Sequence, residues 1–257
     1  MSQVALLAKA GNRNLVRLLF MAALLLLWEC AARFWVDPMF LSPPSRVFGH
    51  LDALFARPGV LQAYGDLMAE LLIAFVVSVA LGLLLGLAVG LAKSTRERMM
   101  PIVLLLYGTP QITILPIVML AAGVGFGSKV IFGITHGVFP VLLSVASSLQ
   151  KVRPIYHVSA RAFGATPWQK FRYILLPCML PSFFSSLRLS MIACLLGVLL
   201  AELFASTKGI GFFTRQFTDT FDPTSLFGLI SVAVVLAISL NASLSWMQSR
   251  WVTRQWT

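Results

Sequence analysis

Residues Leu71–Ala92 read LLIAFVVSVALGLLLGLAVGLA, without one charged side chain. Coiled as a helix, such a run is long enough to cross the roughly 30 Å hydrocarbon core of a bilayer. Water is absent at that depth. Each backbone N–H and C=O must therefore be satisfied inside the segment, which a helix does. The run is one of several. The chain is 58% hydrophobic and 11% charged, where soluble domains carry roughly 25% charged residues. Apolar length predicts an all-α polytopic membrane protein with about six transmembrane helices, at 15–36, 68–92, 101–122, 129–149, 178–205 and 225–247. The chain 1–257 is expected to form a single transmembrane domain.

A net charge of +11 could mark a nucleic-acid binder. Its distribution argues instead for membrane topology, because Lys and Arg collect in cytoplasmic loops. Lys9, Arg13, Arg17, Lys93, Arg96, Arg98, Lys151, Arg153, Arg161, Lys170, Arg172, Arg250 and Arg254 fall on one side, thirteen in all. Six fall on the other: Arg33, Arg46, Arg57, Lys129, Lys208 and Arg215. Both termini are then cytoplasmic, membrane lipid is a partner and nucleic acid is not. In the loop at 37–66, Ser45 is expected to cap a short helix that presents Val47, Leu51, Leu54 and Phe55 on one face. That helix, ended by Arg57-Pro58-Gly59, is expected to lie on the membrane surface. Cys30, Cys178 and Cys194 sit in or beside apolar runs and read as small buried thiols.

Between the fourth and fifth spans lies SARAFGATPWQKFRYILLPCMLP, Ser159–Pro181. Gly164 is a natural stop for a helix over 155–163. Thr166-Pro167-Trp168-Gln169 is a helix start, with a capping residue, a proline at the first helical position and a capping-box partner. Pro177 and Pro181 should bend or break the start of span five. The loop thus holds two short helices with a sharp break and a small-residue surface, Ser159-Ala160-Arg161-Ala162. By itself this is equally consistent with a docking surface and with a basic anchor for anionic headgroups.

The stretch resembles the cytoplasmic EAA loop of permease subunits of ATP-binding-cassette importers. That signature is Glu-Ala-Ala, three residues, Gly, nine residues, Ile, one residue, Leu-Pro. Here Gly164 is followed at that spacing by Ile174 and Leu176-Pro177. Ala160 matches the second alanine, Ser159 replaces the first, and Val158 replaces the glutamate. "FLSPPSRVFGHL", "TPQITILPIVMLAAGVGFGSKV" and "LRLSMIACLLGVLLAELFASTKGIGFF" are similar to segments of the nitrate, sulfonate and taurine branch.

The resemblance implies the MetI-like fold of type I importers in a bacterial cytoplasmic membrane. Residues 1–66 would hold the first span and a periplasmic interfacial helix, and 67–250 the core with its coupling loop at 150–177. Ser159, Ala160, Arg161, Ala162, Phe163, Gly164, Ala165 and Thr166 would receive the ATPase. Partners would be a second permease copy (a homodimer), two ATPase subunits and a solute-binding protein. The chain would carry no cofactor, with ATP and Mg on the ATPase. The solute would be a small organic or inorganic anion such as a sulfonate, taurine or nitrate; a thiamine-precursor pyrimidine is the alternative.

The residues qualify this expectation. Gly123–Lys129 has the wrong order for a phosphate loop, since Lys does not follow the last Gly, and reads as a tight turn. Gly82, Gly86 and Gly90 share one face of span two and favour close helix packing. The polar run Tyr107, Thr109, Gln111 and Thr113, among Pro101, Pro110 and Pro116, predicts an irregular third span. Irregular backbone at membrane depth must be buried in protein or line a cavity. These four are pathway candidates, with Arg188 and Glu202 of span five. Glu202 is also expected to bond the backbone near Gly209 and Gly211, and Arg188 could equally snorkel to headgroups. His136 reads as a packing residue, His157 as part of the loop, and Glu29 and Glu70 as interfacial. A secondary transporter is disfavoured because no second copy of the span-three pattern occurs. An enzyme is disfavoured because no catalytic constellation does.

Overall fold

The computed structural model describes residues 3–252, with the side chains of 15–16, 18–204 and 206–249. All regular structure among the described residues is helical. Four helices are long and apolar enough to cross a membrane: Val60–Gly90, Phe126–Gln150, Pro167–Phe204 and Pro223–Ser249. Lys93–Gly108 and Gln111–Ala122 are long and apolar enough only when taken together, as a pair bent by 83° at the break. The first expected span lies on α1 (Gln3–Phe34). Of the charges used for orientation, the side chains of Lys9, Arg13, Arg17 and Arg250, and the whole of Arg254, lie outside the described residues.

The chain forms two compact units. The first comprises Met1–Val60 and Phe213–Val232. It contains α1, α2 (Pro44–Gly49) and α3 (Leu51–Ala56), with the start of α12 (Pro223–Val252). The expected surface helix is thus two helices split at His50. Its N-cap is Pro43, not Ser45. The Ser45 amide and hydroxyl both donate to Glu29 of α1. Val47 and Leu54 are fully buried, and a Cβ on Gly228 of α12 would stand 3.2 Å from Leu54. This is protein packing, with Phe48 and Phe55 left at the surface. Asp222 caps α12, accepting from the Ser225 amide at 3.0 Å, and pairs with Arg57 at 3.0 Å. Burial pushes the Asp222 carboxyl up; Ser225 and Arg57 more than offset this and hold it below its ordinary value.

The second unit comprises Leu61–Phe212 and Ala233–Thr257. Its centre is α7 (Phe126–Gln150), packed between α4 (Val60–Gly90) and α10 (Leu176–Ala205). The glycine face of α4 lies on α7. A Cβ at Gly82 would fall 2.6 Å from Val141, and one at Gly86 2.8 Å from Val145. Backbones this close gain dispersion contact where lipid supplies no hydrophobic drive. Short side chains add hydrogen bonds across the same seams. Ser190 donates to the Gly137 carbonyl at 2.8 Å, Ser144 to that of Ser182 at 2.9 Å, and Ser78 to that of Ile134 at 3.3 Å. Cys194 is buried against Ser78, whereas Cys178 is half-buried and Cys30 exposed. His136 bonds the Phe132 carbonyl through Nδ1 at 3.0 Å, as a packing residue does.

Candidate functional site: elbow, broken span and buried ion cluster

The elbow is built from two local stops. Helix α8 (Pro154–Ala162) closes when Gly164 turns to φ +66°. The Ala165 amide then donates to the Ala160 carbonyl at 2.9 Å, and the Gly164 amide to that of Arg161 at 3.0 Å. This is the hydrogen-bond pattern of a glycine-terminated helix. Helix α9 (Pro167–Lys170) opens on a reciprocal box. The Thr166 amide donates to Gln169 Oε1 at 2.8 Å, and the Gln169 amide returns to Thr166 Oγ1 at 3.3 Å.

Ala160 is buried inward and Ser159 and Ala165 half so, while Arg161, Ala162, Phe163, Gly164 and Thr166 are exposed. Phe163 is 89% exposed, and Val158, Trp168 and Tyr173 also face outward. The prolines do not break the next span. Residues Phe171–Leu175 widen into a π-turn, and Pro167–Phe204 runs on as one helix. The wider turn tolerates the amide that Pro177 lacks.

The third span breaks as the prolines predict. Helix α5 (Lys93–Gly108) stops at Thr109, a short 3₁₀ turn covers Gln111–Ile114, and α6 (Leu115–Ala122) resumes. The Tyr107 ring packs tilted against that of Phe139, with centroids 5.4 Å apart. Thr109 and Thr113 turn back on the chain, donating to the Leu105 and Pro110 carbonyls at 2.9 and 2.7 Å. Gln111 keeps Oε1 buried without a hydrogen-bond partner. The turn after α6 runs through Gly123 and Gly125 into α7 as expected, with Ser128 closing it onto Gly125.

Glu202 does not stand on an open wall. It is fully buried, and its Oε1 lies 2.9 Å from Lys129 Nζ. Its Oε2 accepts from the Gly211 amide at 3.0 Å, the backbone anchor expected from sequence. Glu70, expected at an interface, is 1% exposed and lies 2.8 Å from the same ammonium. Lys129, expected in an outer loop, is therefore the buried centre of a three-helix ion cluster. A carboxylate in an apolar span is costly unless paired, and that requirement was the available signal. Arg188, half-buried, reaches Ser245 at 3.4 Å and does not join the cluster.

The family described as the binding-protein-dependent transport system inner membrane component matches residues 78–256. The chain belongs to that family. It is a permease subunit of an ABC importer, a transport component and not an enzyme. Among its relatives, the taurine transport system permease protein TauC of Escherichia coli is 27% identical over 228 residues, 87% of this chain and 83% of that protein. The formylaminopyrimidine transport permease protein ThiX of Halalkalibacterium halodurans is 26% identical over 242 residues, 90% and 92% of the two chains. An inward-facing structure of the MetNI methionine ABC transporter aligns with a TM-score of 0.62 at 19% identity, covering 77% of this permease and 98% of that chain. The fold is thus MetI-like.

Proposed function

We propose that this permease couples to a separate ATPase through the elbow Ser159–Thr166, and that solute passes between two copies of the chain. The exposed, doubly capped elbow carries the proposal. A passive connector needs neither a left-handed glycine stop nor a reciprocal capping box, and neither buries Phe163 or Trp168. Two permease copies, two ATPase subunits that hold ATP and Mg, and a solute-binding protein would complete the importer. ATP-driven closure would move the elbows as rigid bodies between inward-open and outward-open states. Val158 offers no carboxylate to the ATPase, so docking would rely on shape and on the aromatic rim.

The broken third span supplies the pathway wall in this reading, with Tyr107, Thr109, Gln111 and Thr113 at the bend. Arg188 contributes positive potential, and Glu202 acts as an anchor behind the wall. The substrate class that fits is a small anion such as a sulfonate, taurine or nitrate. The pyrimidine named for one relative supports a second reading, which competition of labelled taurine uptake by formylaminopyrimidine would separate.

The elbow is tested with Gly164. A β-branched residue is strained at positive φ, whereas Asn tolerates it. Gly164→Val should abolish uptake and ATPase copurification while the chain still inserts, and Gly164→Asn should retain most of both. Full uptake by Gly164→Val would overturn the coupling role.

A further inference from the structure

An open pocket lies in the second unit, where α4 ends, α5 begins and α8 turns away from α7. It measures about 430 Å³, many times a water molecule's share of liquid volume. Lys93, Arg96, Arg161, Lys170 and His157 line it, and no carboxylate does. The acid paired with Lys93, Glu97 at 3.8 Å, is exposed and lies off the lining. Arg96 is fastened at the rim by one bond, Nη1 to the Gly90 carbonyl at 3.2 Å. His157 has its Nδ1 buried with no hydrogen-bond partner. Burial lowers the affinity of this imidazole for a proton, and the charges of Lys170 and Arg161 lower it further. Both cations line the same open pocket as this imidazole.

With Lys93 paired to Glu97, the charges of Arg96, Arg161 and Lys170 still gather around one pocket whose lining has no carboxylate, an arrangement that favours an anion among them. The floor narrows the choice of anion. Its apolar lining includes Leu91 just after α4, Leu149 in the last turn of α7 and Leu175 in the π-turn before α10. Cations over an apolar floor at a helix end match a phosphodiester with an acyl chain beneath it.

We infer that this pocket binds the phosphate group of an anionic lipid, holding it between the elbow helix α8 and the junction of α4 with α5. The inference is independent of the transport reading, because binding is measured without uptake.

The test is native mass spectrometry of the full chain released from nanodiscs of equal phosphatidylglycerol and phosphatidylcholine. Wild type should retain phosphatidylglycerol in preference. Arg96→Gln with Lys170→Gln removes two cations and should weaken that retention about thirty-fold. Lys151→Gln with Arg153→Gln removes the same charge from the same loop outside the pocket and should leave it unchanged. Equal retention by wild type and the pocket variant overturns the proposal, as does loss in both variants. Phosphorus NMR with inorganic phosphate separates the sources: binding of free phosphate with no preference for phosphatidylglycerol overturns the lipid assignment. Shielding of Lys170 from amine labelling only when the ATPase is present assigns the pocket to a protein partner and also overturns it.

Discussion

Replacing Lys129 by Met removes the one cation shared by two buried carboxylates. Its Nζ lies 2.8 Å from Glu70 and 2.9 Å from Glu202. At an effective dielectric near 20, each contact is worth about 6 kcal/mol before desolvation is subtracted. Most of that gain offsets the cost of dehydrating three charges. The loss on breaking such a group is larger than its net value, because the remaining charges stay buried without a partner, and amounts to about 3–5 kcal/mol. Glu202 would keep the Gly211 amide but no cation. Glu70 already has one oxygen without a partner. For a chain of this size the expected drop in thermal midpoint is about 10 °C. Fluorescence-detected size exclusion after heating measures it. The triple variant Lys129→Met, Glu70→Gln, Glu202→Gln removes the stranded charges and should recover more than half of the loss. A midpoint for Lys129→Met within about 2 °C of wild type, or a triple variant no better than the single one, would refute the reasoning.

Two further outcomes are expected. Gly86→Leu drives a side chain into Val145 and the Leu142 carbonyl, so α4 and α7 must part at a cost of about 1–3 kcal/mol, read as a lower midpoint in the same assay. Asp222→Ala removes the cap of α12 and should cost about 1 kcal/mol at neutral pH. Because the Asp222 carboxyl is held below its ordinary value, its charge stabilises the folded state above about pH 4, and that contribution fades as pH falls through the lowered value. The gap between wild type and Asp222→Ala should therefore shrink in acid, and a gap that widens would contradict the assigned partners.

What the sequence disclosed was decided locally. Gly164, Thr166, Pro167 and Gln169 act within one or two turns of chain, so their roles as stop and cap follow from composition and order alone. The same holds for the bend at Pro110 and the glycine face of α4. The ion cluster was hidden because Lys129 and Glu202 are 73 residues apart. Each looks like a span-end charge until helix packing brings them together. Ser45 misled for a related reason: a good capping residue was taken by a stronger long-range acceptor, Glu29 of α1, and Pro43-Pro44 set the helix start instead. The π-turn before Pro177 trades one residue of register for continuity, a choice that packing makes and propensity does not.

That continuity has a mechanical meaning. From Pro167 to Phe204 the backbone is one helix of 38 residues, about 57 Å of rod at 1.5 Å per residue. Trp168 stands at one end and the carboxylate of Glu202 close to the other. A tilt of about 5° imposed at the Trp168 end carries the far end through roughly 5 Å. The Glu202 end is clamped to two neighbouring spans through Lys129, so they must travel with it. In the coupling proposed above, a push on the Trp168 end would reach the Glu202 cluster along this one helix, through the π-turn at Phe171–Leu175 and past Pro181.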